Sequence, residues 1–398
     1  MNRADLLVVG AEVGQVPAIM AAKAMGLRVV TVDRNGSAPG MALSDSALVI
    51  DVTDISGFVR VARDFNARGA MTMQSDLPVA AVGAVNDALG LCGVSVEVAH
   101  RCSNKIAMRE RLASAGIPQP QFRRVRSPGD AVTACAEIGY PCVIKAPDSS
   151  GSRGVTRVDC SADVEAAFHE AEAVARDEVL IIEEFVSGIE FGAQTFSSKG
   201  ACVAVHLHDD ELSDPPYMVP IAHSYPTTLP RTAVEHAREV ISAAVDALGV
   251  TDGPANVDAI LGADGLVQII EVGARIGATC LPELTSYYTG TDWVEITILA
   301  ALNEEISIRH SDPRAVAAYI LQAPSDGVLL DWSAPSVLLD DPRLLEWEVT
   351  AERSHQVSAL RKGTDRIGKV VATGGNQCES MEFARLVRDS FVFTVSPD

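Results

Sequence analysis

The chain has no C-x-x-C pair, no histidine spaced from its cysteines as a zinc site requires, no run near the ~20 apolar residues of a membrane span, and no excess of basic charge. Each absence excludes a class. The eight cysteines (Cys92, Cys102, Cys135, Cys142, Cys160, Cys202, Cys280, Cys378), scattered through 398 residues, read as reduced core thiols rather than a disulfide or metal framework. A formal net charge of -21 would repel a phosphodiester backbone, whose binding depends on Lys and Arg displacing counterions; nucleic acid and anionic membranes are therefore disfavoured as partners. The opening apolar run at residues 6–9 is too short for a secretory signal, which points to the cytoplasm. Internal repeats and low-complexity tracts are also lacking.

What is present is a globular composition, 47% apolar and 21% charged, in a length that suits two or three packed units. Residues 6–103 alternate short β-branched runs with amphipathic segments, the pattern of βαβ units on a parallel sheet. The first turn, Gly10-Ala11-Glu12-Val13-Gly14-Gln15, departs from G-x-G-x-x-G at Glu12 and Gln15, where glycines would let the backbone approach a pyrophosphate. That departure speaks against the alternative of an NAD-dependent oxidoreductase, and Asp33 reads as a turn residue at a strand end. At Ser103-Asn104-Lys105 a capping Ser opens a helix, which Gly116 to Pro120 stops. Residues 118–185 then read as a small α+β lid. Residues 190–300 alternate strands with two helices (232–248 and 293–302), and residues 304–398 hold further strands and a last helix near 380–389.

Three segments carry chemistry. Lys145 ends a buried strand before the small-residue loop Ser149-Ser150-Gly151-Ser152-Arg153-Gly154, whose backbone N–H groups can wrap phosphates while the Lys supplies a point charge. The run Ile181-Ile182-Glu183-Glu184-Phe185-Val186-Ser187-Gly188-Ile189-Glu190 directs Glu183 toward the lid interior by strand alternation, where apolar walls and a carboxylate suit adenine. Asn256-Val257-Asp258, an Asp-Gly turn at Asp264-Gly265 and a strand ending Glu271-Val272-Gly273 form a hairpin that returns Glu271 beside Asp258. Two carboxylates so placed repel unless a divalent cation bridges them, and Mg²⁺ with nucleotide phosphates would supply it.

This ordered series, with Lys105 before it and Gly273-Ala274-Arg275-Ile276-Gly277 after it, resembles the ATP-grasp superfamily across essentially the whole chain. The resemblance is nearest to carboxylate–amine ligases of the amino-acid-ligase and biotin-carboxylase-like group. It implies an α/β fold in three parts: a Rossmann-like (pre-ATP-grasp) domain at 1–103, an ATP-grasp domain at 104–303 with its lid at about 118–185, and a C-terminal α+β lobe at 304–398. It also implies ATP with Mg²⁺, or Mn²⁺ in its place. Lys105, Lys145, Ser150, Gly151, Ser152 and Gly154 would contact phosphates; Glu183, Phe185 and Val186 would bind adenine, and Glu190 ribose. Asp258 and Glu271 would hold metal, and Arg275, with Lys145, would serve catalysis by steadying the acyl phosphate. The pattern departs from the family at Gly273, where an Asn of the E-x-N sequence is usual, and at Asp258, where a longer Glu is usual.

The activity so implied is ATP-dependent formation of an amide from a small carboxylic acid or amino acid and an amine, through an acyl phosphate, with ADP and phosphate released. A carboxyphosphate-forming enzyme of the purine-biosynthesis type and a catalytically silent nucleotide-binding protein are the alternatives. Substrate selection falls to the segment from His206 to Tyr225, read as loop-rich, with His206, Tyr217, His223 and Arg275 as candidate substrate contacts. His206-x-His208 raises transition-metal binding, but no third ligand stands at a usable spacing. Similar proteins are commonly dimeric, and the sequence is compatible with a homodimer.

Overall fold

Four strands, β1 (Leu6–Val9), β2 (Val29–Asp33), β3 (Ser46–Val49) and β4 (Gly69–Met71), form a parallel sheet in the order β3-β2-β1-β4. All four β1 residues are buried, as expected of a strand covered on both faces. Helices α1 (Val16–Ala24), α2 (Pro39–Leu43), α3 (Ile55–Asp64) and α4 (Val79–Leu89) accompany them. Helix α3 buries Phe58, Val61 and Ala62 along one stripe and is capped by Asp54, which accepts from the Gly57 N–H at 2.9 Å. The computed structural model describes residues 4–149, 154–214, 217, 219–308 and 314–396.

Where the glycine pattern breaks, Gln15 is buried, donates through Nε2 to the Met73 carbonyl at 2.8 Å and lies close over Gly10, which gives it a structural role in the turn. Asp33 accepts from the N–H groups of Ala11 and Asn35 at 2.7 and 2.8 Å, which makes it a turn residue.

Helix α5 (Val96–Ser103) precedes α6 (Lys105–Ser114). The cap of α6 is Asn104, whose Oδ1 accepts from Ile106 and Ala107, and not Ser103, which ends the helix before. A second sheet, antiparallel in the order β5-β8-β6-β7, follows from β5 (Phe122–Val125), β6 (Cys142–Lys145), β7 (Val155–Val158) and β8 (Leu180–Glu184). Helices α7 (Pro128–Ile138) and α8 (Val164–Glu172) pack on it around Cys135, Ile144, Phe168 and Ile182. Next come β9 (Gly188–Ser198), β10 (Ala201–Leu212), β11 (Pro220–Tyr225), α9 (Arg231–Leu248), β12 (Gly253–Gly262) and β13 (Val267–Gly273). Strand β12 pairs antiparallel with both β9 and β13.

The chain divides into two compact units. Unit 1 contains 1–206, 230–277 and 294–307, and with them everything described so far except the end of β10 and all of β11. Unit 2 contains 207–229, 278–293 and 308–398. Within unit 2, β11 pairs antiparallel with the end of β10 and with β14 (Val316–Leu321), and β14 pairs with Gly368–Thr373. Helix Gln377–Ser390 buries Phe383, Ala384 and Val387 in a core with Tyr319, Leu321 and Val370.

Two expectations are corrected. The segment read as loop-rich is largely strand, because its polar side chains find partners in the ladder and just beyond it: Asp209 accepts from the Thr227 hydroxyl at 2.5 Å and the Thr228 N–H at 2.8 Å, past the end of β11, while Asp210 faces His223. The cysteines are unpaired, but only some are core. Cys102, Cys135, Cys142 and Cys280 are buried, whereas Cys160 and Cys378 are exposed. Burial pushes the Cys102, Cys135 and Cys280 thiols up to about 12, which keeps them inert.

Candidate nucleotide and metal site

One face of helix α6 gathers the charged groups of unit 1. Lys105 and Arg109 stand one helical turn apart and so point the same way. The Lys105 ammonium donates to the Ser149 carbonyl at 2.7 Å and lies 3.4 Å from Glu271 Oε1, and its backbone N–H donates to the Pro147 carbonyl at 2.8 Å. Arg109 is fully buried. Its Nε and Nη2 donate to the two oxygens of Glu183 at 2.9 and 3.2 Å, and its Nη1 and Nη2 to the carbonyls of Ile269 and Ile270 at 3.1 and 2.7 Å.

Lys145, at the end of β6, places its ammonium 2.6 Å from Glu183 Oε2. One buried carboxylate thus serves two buried cations. Burial alone would raise the Glu183 pKa, but Arg109 and Lys145 outweigh it and hold the group at about 2. Burial pushes the Lys145 ammonium below its usual value, opposed by the same carboxylate. Both Glu183 oxygens are engaged, so the acceptor expected for adenine is already committed to Arg109 and Lys145.

The hairpin of β12 and β13 sets Asp258 directly opposite Glu271, which in an antiparallel pair puts both side chains on one face with Cβ atoms roughly 5 Å apart. Gly265, at φ +82°, permits the turn. Asn256, two residues before Asp258 and therefore on the same face, is paired with Gly273. Its Nδ2 donates to Asp258 Oδ1 at 3.1 Å, and its Oδ1 accepts from Gln194 Nε2 at 2.6 Å.

Gly273 is small for a reason visible in its surroundings. A Cβ there would stand 2.9 Å from Asp76 Oδ1 and 3.3 Å from Arg275 Cζ. Those two residues form a forked pair: Arg275 Nε lies 2.8 Å from Asp76 Oδ1, and Nη2 donates to Oδ2 at 2.9 Å. Burial alone would lower the Arg275 pKa, and Asp76 reverses that, with Asp258 and Glu271 adding to the rise. Gly273→Asn should therefore lower stability by about 1–3 kcal/mol through overpacking against this pair. A thermal melt equal to wild type would show that the pair yields freely.

The other sequence candidates lie as follows. Phe185 is half-buried beneath the Arg157 guanidinium, 4.2 Å from its ring centre, and its N–H donates to the Pro141 carbonyl at 3.4 Å. Val186 is half-buried, and Glu190 is exposed on β9 opposite Ile260. Gly154 takes φ +62°, and its carbonyl accepts from the Ala146 N–H at 3.3 Å, closing the base of the small-residue loop. Ser150, Gly151 and Ser152 lie outside the described residues. His206 belongs to β10 in unit 1, while Tyr217, exposed, and His223, buried on β11, belong to unit 2.

The residues brought together in unit 1 are thus Lys105, Lys145, Glu183, Asp258, Glu271 and Arg275. Sequence reasoning missed Arg109, Asp76, Asn256 and Gln194. Of these, Arg109 shares a helix face with Lys105, four residues before it, but nothing local marks it as buried.

Residues 138–283 match the family description "ATP-grasp domain". The chain is 31% identical to a D-alanine–D-alanine ligase of Desulforudis audaxviator over 218 residues, 51% of this chain and 69% of that protein. It is 26% identical to a formate-dependent phosphoribosylglycinamide formyltransferase of Sulfurisphaera tokodaii over 94% of this chain and 93% of that one. Among solved structures, a phosphoribosylglycinamide synthetase from Anaerococcus prevotii superposes with a TM-score of 0.85 at 24% identity, covering 99% of this chain and 100% of that one. Among the described residues no helix is long and apolar enough to cross a membrane. The matched domain and the D-alanine–D-alanine ligase relative show that the chain belongs to the ATP-grasp family of ATP-dependent carboxylate–amine ligases.

Proposed function

We propose that the chain joins an amino acid, or another small carboxylic acid, to an amine by way of an acyl phosphate, releasing ADP and phosphate. The observation that carries this reading is the convergence, around one helix face, of Lys105 and Lys145 with the facing carboxylates Asp258 and Glu271. The three-part division at 1–103, 104–303 and 304–398 goes with it.

The donor set suits Mg²⁺ or Mn²⁺ with nucleotide phosphates. Asp258 and Glu271 are hard oxygen ligands on one face, and Asn256, whose Oδ1 is held by Gln194, donates its amide N–H to Asp258 and orients that carboxylate. A bound divalent ion would offset charge on the β- and γ-phosphates and balance the two acids. Lys105 is anchored to the carbonyls of Ser149 and Pro147 and lies beside Glu271 of the hairpin, so it links the end of β6 to the carboxylate pair. Lys145 is the charge for the phosphate tail, and Glu183 with Arg109 keeps it in place. In this reading Glu183 is a positioning residue and adenine is held by the neighbouring backbone and apolar walls.

The substrate carboxylate oxygen attacks the γ-phosphorus and ADP departs. The amine then attacks the acyl carbon, the nitrogen loses a proton, and phosphate leaves with the C–O bonding pair. Arg275, forked on Asp76 and beside the metal-binding acids, is placed to steady the developing oxyanion. Because an acyl phosphate hydrolyses in water, the main task of the protein is orientation and exclusion of solvent.

The test is phosphate release over a matrix of amino acids as acid and amine, with hydroxylamine present to trap the acyl phosphate as a hydroxamate. Hydroxamate formation that depends on one amino acid supports the proposal. Stimulation by bicarbonate alone would instead assign the chain to carboxyphosphate chemistry.

A further inference from the structure

Strands β10 and β11 build a second constellation, outside the proposed nucleotide and Mg²⁺ site. His208 and Asp210 are two residues apart on β10 and so share a face; Asp210 is paired with His223 on β11, which adds a third side chain to it. Asp210 Oδ1 lies 2.6 Å from His208 Nδ1 and also contacts His223 Nδ1. The further ligands for His208 are therefore supplied by strand pairing, which spacing along the sequence does not reveal.

We propose that His208, Asp210 and His223 form a binding site for a divalent first-row transition ion such as Zn²⁺. Their donor atoms, two imidazole nitrogens and one carboxylate oxygen, all lie within 4.8 Å of one another. Imidazole nitrogen selects Zn²⁺, Co²⁺, Ni²⁺ or Cu²⁺ over Mg²⁺, which prefers oxygen and keeps its waters. Three protein ligands leave a coordination position for water or a substrate group.

The surroundings fix the donors in advance. His208 and His223 are 1% and 4% exposed, and their rings meet edge to face at 5.2 Å. The Tyr225 ring, two residues along β11 and on the same face, lies edge-on to His208 at 5.5 Å. Tyr225 is itself held by stacking on Tyr288 at 4.6 Å and by a hydrogen bond to Thr285 at 3.0 Å. The competing arrangement is a metal-free one in which both rings donate Nδ1–H to the single carboxylate oxygen.

Metal content separates the two without reference to ligase activity. The full-length chain, stripped with a chelator and free of ATP and Mg²⁺, is titrated with Zn²⁺ and with Co²⁺, following bound metal and the visible Co²⁺ spectrum. A single bound equivalent, lost in His208→Asn and His223→Asn but kept in Glu271→Gln, is expected. Spin-echo modulation from imidazole nitrogen in Cu²⁺-loaded wild type gives a reading that no misfolded variant can confuse. Wild type binding no more Zn²⁺ or Co²⁺ than His223→Asn would overturn the proposal, as would Cu²⁺ bound without imidazole coupling. Because none of the three residues belongs to the proposed nucleotide site, failure here leaves the ligase reading intact.

Discussion

Glu183→Gln should cost the fold about 3–5 kcal/mol, because it deletes the counter-charge of two buried cations and leaves the shape unchanged. Arg109 has no exposure and Lys145 only 6%. A glutamine oxygen can still accept one hydrogen bond, but it neutralises neither group, and desolvated charge is far dearer than a lost contact. The expected readout is a lower urea midpoint with an unchanged denaturant slope. A loss below about 1 kcal/mol would mean that water reaches this pair.

The same substitution has a pH signature with a definite sign. The Glu183 carboxylate falls from an ordinary value of 4.5 to about 2 on folding, so its stabilising contribution is fully present above the unfolded value and fades as the pH drops toward the folded one. The wild-type advantage over Glu183→Gln should consequently narrow between about pH 5 and about pH 3. An advantage that stayed level across that interval would place the stabilisation in packing rather than in charge.

How much of this site was readable depended on how local its causes are. The carboxylate hairpin was legible only in part: the Asp-Gly turn sets Leu261 opposite Val267, but a one-residue register shift between Asp258 and Ala259, which no local signal announces, is what brings Glu271 instead of Ile270 opposite Asp258. Arg109 was hidden. On α6 it sits among Lys105, Glu110 and Arg111, a pattern that reads as a solvated helix face, and its partners Glu183 and Ile269 lie 74 and 160 residues away. Asp76 is 199 residues from Arg275, so nothing near either residue announces their pairing. The helix cap went to Asn104 rather than Ser103 because adjacent residues of equal capping strength differ only in where the preceding helix ends. The His208, Asp210 and His223 cluster was missed because its polar run mimics a loop until β11 is seen to pair with β10.

Asp258→Asn should separate function from stability by moving them in opposite directions. Asp258 is exposed and faces a second carboxylate, Glu271, straight across the ladder, an arrangement that costs the free protein roughly 0.2–1 kcal/mol in like-charge repulsion. Removing one charge relieves that cost, so the melting temperature in Mg²⁺-free buffer should hold or rise slightly. ADP formation should nevertheless fall on the order of 10²–10³-fold, the scale of losing one preorganised electrostatic partner of a developing charge. Adding Mg²⁺ with nucleotide should raise the melting temperature of wild type more than that of the variant, because the paired acids, and not the imidazole cluster, suit this hard ion. A protein that kept turnover after Asp258→Asn would need a different metal site, whereas one that lost turnover together with several degrees of stability would mark Asp258 as structural. Lys105 and Arg275 offset part of the repulsion between the two facing acids, and a divalent ion settling between them would offset the rest.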